Sequence, residues 1–371
     1  MKRIVYGAPA PTEEMVAAVS KVIRSGWWGA GALCERVEKE LTKLTGSPFA
    51  VAVSSGSAAL HSILFAAGIK PGDEVVTTPL TYAATAHAIE LVGATPVFAE
   101  IDPLTGNLDP RAVEAAITPR TTAILAVHLY GRPFDPGIVD AALVHGLLLV
   151  EDAAHALGAS LDGVPVGSFG HAAAFSFNYQ KNVSAAEAGA LVTRSGDTFE
   201  KARRFAHNGE EHTTWERYKL KLAPCIVSVG TNYRPNDIAA AMVLQGLFKF
   251  EEIRKGRERV WAAYDQTLSD LPVLRPAPIP ENMVHARHIY NVRLPVDRTE
   301  VQRAMSEAGI GTGIHYKPLH LEPYYREKYG HKEGELPLAE AFGRCTLSLP
   351  MSPSMPEEDV ARVAAWLERS I

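Results

Sequence analysis

Apolar positions along this chain follow two rhythms that take turns. From Phe49 to Val150, short apolar runs at Phe49–Val53, Glu74–Thr77, Thr95–Ala99, Ala123–Val127 and Leu147–Val150 read as strands. Between them Ser57–Ala67, Tyr82–Leu91, Pro110–Ala116 and Pro136–His145 carry helical spacing. Repeated strand–helix units of this length predict a mostly parallel sheet covered by helices on both faces, an α/β fold. Upstream, Met15, Val16, Val19 and Val22 recur at helical spacing behind Glu13 and Glu14, which suit a helix N-terminus, and predict a helix over Pro11–Ile23. Downstream, the apolar runs Ala172–Phe177 and Gly189–Thr193 predict two further buried strands joined by a polar link.

After Thr193 the pattern is helical and charged over Asp197–Phe205, then aromatic and basic over Thr213–Ser228, which reads as a loop able to border a partner subunit or substrate. An extended segment, Gly230–Pro235, precedes a helix over Asn236–Leu247, and helical spacing continues to Leu268. A boundary near Lys249–Lys255 divides the chain into a large domain, residues 1–250, and a smaller C-terminal α+β domain, residues 251–371. The smaller domain is built from a strand at His288–Leu294, a helix at Arg298–Ala308, a segment at Gly311–Tyr316 and a helix at Glu357–Arg369, which Pro356 and the acids after it introduce.

Length and composition narrow the class. A chain of 371 residues with 47% hydrophobic and 21% charged content fits a globular enzyme. Net charge is −5, and the basic residues are scattered, which disfavours nucleic acid as a partner. The cysteines Cys34, Cys225 and Cys345 are widely spaced and show no metal-ligand pattern, as a reducing compartment would suit. The segment Met1–Gly7 lacks the apolar run of a secretion signal, and no stretch reaches the roughly 18 apolar residues of a membrane span, so a cytoplasmic protein is expected.

Chemistry concentrates around Lys181, on the polar link between the two downstream strands. Partial loss of water there would lower the ammonium's pKa and free an amine that can attack a carbonyl; a solvated surface lysine is the plainer reading. Asp152 ends the run Leu147–Val150 with Glu151, and ligands in α/β sheets sit at the carboxyl ends of strands; a helix N-cap is the alternative. A lysine that holds an aldehyde and an aspartate that keeps a pyridine nitrogen protonated are the pair a pyridoxal phosphate (PLP) enzyme requires. His155, three residues after Asp152, would share its face on a helical turn. The turn Ser54-Ser55-Gly56-Ser57-Ala58 joins a strand to a helix and presents N–H groups to an anion. Trp28, in the glycine-rich loop Ser25–Gly31, reads as structural or as a stacking surface for a sugar or base. The cluster His207–His212 fits neither a helical His pair nor a zinc knuckle, so no metal is expected.

The stretches Ser25-Gly26-Trp27-Trp28-Gly29, Ser54-Ser55-Gly56-Ser57-Ala58-Ala59-Leu60-His61, Glu151-Asp152-Ala153-Ala154-His155, Ser176-Phe177-Asn178-Tyr179-Gln180-Lys181-Asn182, Asn232-Tyr233-Arg234 and His315-Tyr316-Lys317-Pro318-Leu319-His320 occur in the order and spacing of a known family. The chain resembles the DegT/DnrJ/EryC1/StrS family of PLP-dependent sugar aminotransferases over nearly its whole length. The resemblance implies PLP fold type I, the aspartate aminotransferase-like fold. It implies a ping-pong transfer through Lys181 from an amino acid, L-glutamate first among donors, to a nucleotide-linked keto-deoxysugar. It assigns Gly56, Ser57, Ala58 and Ser176 to the cofactor phosphate, Tyr82 to stacking on the pyridine, Asp152 to its nitrogen and His155 to its phenolic oxygen. Asn232 is assigned to the phosphate of the neighbouring subunit's cofactor, which implies a homodimer with shared active sites. Trp28, Glu187, His315, Tyr316 and His320 are assigned to the sugar-nucleotide side.

Two features depart from the family pattern: Ala186-Glu187-Ala188-Gly189 stands where Gly-Glu-Gly-Gly is common, and Asn178 stands where histidine is usual. A sugar dehydratase of the same fold is the nearest rival, but its known members replace the lysine or carry an iron–sulfur cluster. A keto-inositol or similar cyclic ketone is an alternative acceptor, and a non-catalytic scaffold is a distant alternative.

Overall fold

The computed structural model describes residues 3–7, 9 and 11–371. Its centre is a seven-stranded sheet of β1 (Phe49–Val53), β2 (Glu74–Thr77), β3 (Thr95–Phe98), β4 (Thr121–Val127), β5 (Leu148–Asp152), β6 (Ala172–Ser176) and β7 (Gly189–Thr193). The order is β1-β7-β6-β5-β4-β2-β3, parallel except that β7 runs antiparallel to both neighbours. Every residue of β7 is buried, so its continuous apolar run matches a central strand of either direction. The sheet is therefore the mostly parallel one predicted, within an α/β fold.

One face of the sheet packs Val51, Val53, Leu125 and Val150 against Leu60, Ile63 and Leu64 of the helix Gly56–Ala66. The other packs Ala52, Phe175 and Val192 against the helices Ala32–Thr45 and Asp237–Phe248 through Val37, Leu41, Val243 and Leu244. The helix Ala32–Thr45 was not foreseen from the pattern. Its start is held from far along the chain, where Asp237 Oδ1 accepts from the N–H groups of Gly31 at 3.0 Å and Cys34 at 3.1 Å. The expected loop at Thr213–Ser228 also needs correction, because Thr214–Leu220 is a helix. Thr213 and Glu216 close a capping box at its start, the Thr-x-x-Glu spacing that marks such a terminus.

The helix Phe250–Thr267 leads into a second core of Val260, Trp261, Tyr264, Val292, Leu347, Val360 and Val363. There β8 (Tyr290–Arg293) pairs antiparallel with β9 (Thr346–Leu349), beside the helices Arg298–Glu307 and Glu357–Ser370. Packing crosses the expected division after residue 250 in both directions. Ile4 joins this core and bridges Ile310, while Leu319 and Tyr325 pack on Ala86 and Phe98 of the large sheet's layer. Two further helices, Pro323–Tyr329 and Pro337–Cys345, each start on a proline whose missing N–H costs nothing in the first turn. Among the described residues, no helix is long and apolar enough to cross a membrane.

Candidate active site

The carboxyl ends of β4, β5 and β6, together with the turn after β1, face a cavity of about 570 Å³ that also reaches residues of the C-terminal core. Sequence dictates its anion-binding end. Ser55 caps the helix Gly56–Ala66 by accepting from Ala58 N–H at 3.1 Å. That leaves the Gly56 and Ser57 N–H groups without an acceptor among the described residues, at the wall of the cavity. Close backbone approach makes this possible: a Cβ on Gly56 would lie 2.9 Å from Ser176 Cβ, and one on Gly189 would lie 2.2 Å from the Ser55 carbonyl carbon. Ser176 lines the same wall. The expectation for Ala58 is corrected, since its N–H is taken by Ser55 and its side chain is buried away from the cavity.

Asp152 is the last residue of β5 and is buried. Its Oδ2 accepts from Thr85 Oγ1 at 2.8 Å and its Oδ1 from Ala154 N–H at 3.1 Å. Because Thr85 spends its proton on the carboxylate, Thr81 Oγ1, 2.8 Å away, must be the donor to Thr85. Desolvation raises the Asp152 pKa, against the hydrogen bonds from Thr85 and Ala154 and the nearby Lys181 charge. A cation placed against this carboxylate would therefore be welcome.

Lys181 follows β6 in a turn closed by its own N–H to Asn178 O at 2.8 Å, and it lines the cavity with Asp152. It is partly buried, and desolvation outweighs the attraction of Asp152 and Glu187, lowering its pKa from 10.5 to about 8. At neutral pH roughly a tenth of the side chain is then a free amine, against far less than a hundredth for an ordinary lysine.

His155 reaches the cavity by a route other than the helical turn expected, because the chain after Asp152 folds as successive turns, with Ala156 N–H to Ala153 O at 2.9 Å. Its Nδ1 accepts from Tyr130 N–H at 3.3 Å, which puts the proton of the neutral ring on Nε2, 3.2 Å from the Tyr316 hydroxyl. Burial holds its pKa well below 6.5, so it stays a neutral donor. His315 and Tyr316 line the cavity. His315 Nδ1 lies 2.9 Å from Ser348 Oγ, and burial lowers its pKa to about 4. Tyr82, 65% exposed, lines the cavity, and Glu187 lines it with Oε1 accepting from Asn178 Nδ2 at 2.6 Å.

Besides Ala58, three expected residues lie outside this cavity. Trp28 is largely exposed and donates through Nε1 to Ile23 O at 3.1 Å. Asn232 is exposed, and its Oδ1 accepts from Arg234 Nε at 2.9 Å. The expectation for His320 is corrected: it is wholly buried against Glu340 at 3.1 Å and has no surface to offer a substrate. The His207–His212 cluster is engaged locally, Glu210 with Arg217 at 2.8 Å and His207 Nδ1 with Arg203 O at 2.9 Å. Thr85, His288 and Arg257 also line the cavity, and no local motif marked them.

An anion cradle at Gly56, Ser57 and Ser176, a buried carboxylate seeking a cation, and a lysine of lowered pKa in the same cavity fit PLP in phosphate, ring nitrogen and aldehyde. The fold and site define a PLP-dependent aminotransferase. Residues 9–368 match the model of the DegT/DnrJ/EryC1/StrS aminotransferase family, and the chain belongs to that family. It is 38% identical over 364 residues to the spore coat polysaccharide biosynthesis protein SpsC of Bacillus subtilis, covering 96% of this chain and 94% of that one. The structure of DesI, solved in the presence of its TDP-sugar product, is similar at 35% identity and a TM-score of 0.88, covering 100% of this chain and 93% of that one. The PLP form of Spr1654 from Streptococcus pneumoniae superposes with a TM-score of 0.93 at 26% identity, covering 100% of this chain and 98% of that chain.

Proposed function

We propose that this enzyme moves an amino group from an amino acid, L-glutamate, to a nucleotide-linked keto-deoxysugar in the making of a deoxyaminosugar. The observation that carries the proposal is Lys181, with its pKa lowered to about 8, facing buried Asp152 across one cavity. Gly56, Ser57 and Ser176 would hold the phosphate, Asp152 the ring nitrogen, and Tyr82 the ring face. Bound PLP supplies an aldehyde that captures the amine and an electron sink that makes the donor's α-proton acidic. Lys181 Nζ takes that proton from the donor's α-carbon and, in the second half-reaction, returns one to the sugar carbon that receives nitrogen. His155 Nε2–H and the Tyr316 hydroxyl orient oxygen atoms beside it.

The sugar acceptor draws support from DesI, whose structure was solved in the presence of its TDP-sugar product. We place the enzyme in the cytoplasm as a homodimer with shared sites. Asn232 is exposed and outside its own subunit's cavity, and the apolar residues Tyr218, Leu220, Ile226 and Val229, nearby in sequence, are 61–71% exposed. The test is a mass-spectrometric screen of nucleotide 3-keto- and 4-ketosugars with holoenzyme and L-glutamate. An aminated nucleotide sugar is the expected product; amination of keto-inositols alone would overturn the acceptor.

A further inference from the structure

Glu151, next to Asp152 in β5, does not line the cavity and is wholly buried, as is His128 directly after β4. Every hydrogen bond of the Glu151 carboxylate is an accepted one: Oε2 from Gly167 N–H at 2.8 Å and from His128 Nε2 at 3.0 Å, Oε1 from Gly170 N–H at 2.9 Å. His128 Nδ1 accepts from Phe134 N–H at 3.2 Å. A backbone amide can only donate, so the ring carries its proton on Nε2 and gives it to Glu151. The ring stacks on Phe134 with 4.2 Å between centroids, and the His128 N–H donates to Asp152 O at 3.1 Å. The transfer chemistry uses neither side chain, yet burying a carboxylate and an imidazole costs free energy that an apolar pair would not.

The turn that follows His128 shows what the pair holds. Leu129 N–H donates to Asn107 Oδ1 at 2.9 Å and Gly131 N–H to His128 O at 3.2 Å. Between them Tyr130 stands at φ +60°, a left-handed conformation uncommon outside glycine. Strain of this kind persists where the surroundings over-determine it. Here it aims Tyr130 N–H at His155 Nδ1, 3.3 Å away. Without that donor either nitrogen of the neutral His155 ring could carry the proton; with it the proton is confined to Nε2, 3.2 Å from the Tyr316 hydroxyl. Tyr316 then accepts from His155 and has its own hydrogen free for the cavity that it lines.

We propose that Glu151 and His128 are positioning residues: they hold the turn Leu129–Gly131 in its left-handed form and thereby fix His155 and Tyr316 as hydrogen-bond donors to the cavity. Such a wall receives an oxygen that offers lone pairs and turns away a donor. Only the identity of that oxygen, the phenolic one of PLP, rests on the aminotransfer reading above; the test reads the cofactor-free protein, so the two can fail separately. Nitrogen-15 NMR of the histidine-labelled protein, with His155 assigned by the signal that His155→Gln removes, should show the wild-type ring neutral at pH 7, with Nδ1 bare and Nε2 protonated. Glu151→Gln sets an amide where three N–H donors converge. The ratio of Nε2–H to Nδ1–H tautomer should fall about fivefold, the worth of one buried hydrogen bond. His128→Phe keeps the stacking, drops both ring hydrogen bonds and should do the same, which carries the test if Glu151→Gln does not fold. His128→Gln, whose amide can accept from Phe134 and donate to Glu151, should keep most of the wild-type ratio. If the first two variants lose stability in urea while the His155 ratio stays that of wild type, the pair only braces the core and the proposal is overturned. A wild-type ring protonated on Nδ1 overturns it whichever variants fold.

Discussion

Lys181 should cost the cofactor-free protein stability, and the cost has a pH signature. Its pKa falls from 10.5 to about 8 on folding, so below pH 8 both folded and unfolded chains carry the charge and the folded one bears the full desolvation penalty. Between about 8 and 10.5 the unfolded chain keeps a proton that the folded chain has released, so stability rises with pH through that window. Above it the penalty is gone. At about 1.4 kcal/mol per pH unit the full effect is about 3 kcal/mol near neutrality, falling to about 1 kcal/mol near pH 9.5. Lys181→Met, of similar length and without charge, should therefore unfold at higher urea than wild type when both are free of cofactor. The gap between them should shrink between pH 7 and 9.5, whereas any packing gain from the methionine would be independent of pH. A gap that is absent, or the same at both pH values, would refute the claim that desolvation lowers the Lys181 pKa.

Lys181→Ala should bind no cofactor covalently and show no turnover, checked by the visible spectrum and by product formation. Thr85→Val keeps shape and deletes the hydrogen bond to Asp152; loss of a bond to a charged group, about 1.5–3 kcal/mol, predicts a 10- to 100-fold fall in kcat with the far-ultraviolet circular dichroism unchanged. Gly189→Ala drives a methyl into the Ser55 carbonyl, 2.2 Å away, and should cost about 1–3 kcal/mol in unfolding experiments while weakening cofactor affinity through the displaced Gly56–Ser57 turn. For the shared site, Asn232→Asp and Lys181→Ala homodimers should both be inactive. A purified heterodimer should recover about half of wild-type activity, since one of its two sites combines an intact Lys181 with the partner's Asn232; an inactive, folded heterodimer would place Asn232 in its own subunit's site.

The large sheet was legible because each of its buried strands is a short apolar run between polar turns, a signal that lies in consecutive residues. The run at Gly189–Thr193 fixed a strand but not its direction, which depends on the close pass of Gly189 over Ser55 and on pairing with both β1 and β6. The helix Ala32–Thr45 carries no local start signal, because its cap is Asp237, far along the chain, and the residue before it is a glycine. Where the cap is local, as in the Thr213–Glu216 box, the signal was present and the aromatic, basic character of the segment masked it.

The site divides along the same line. Gly56, Ser57, Asp152 and Lys181 stand at the ends of strands or in the turns beside them, so a reading of strand ends gathers them before any packing is known, whereas Ser176 enters through the family resemblance. Thr85, Arg257 and His288 act through partners that folding alone supplies: a carboxylate at the end of β5 for Thr85, backbone carbonyls at Arg287 and His288 for Arg257, and Asn182 Oδ1 at 3.1 Å for His288. His320 shows the converse. Its place in His315-Tyr316-Lys317-Pro318-Leu319-His320 suggested a substrate contact, yet the same segment sends His315 and Tyr316 into the cavity and turns His320 toward Glu340. The 3-10 turn Leu319–Leu321 begins there, and neighbours in a motif part company in space. Proximity in sequence gathers the candidate residues of the site; the hydrogen bonds that hold them are contacts between distant segments.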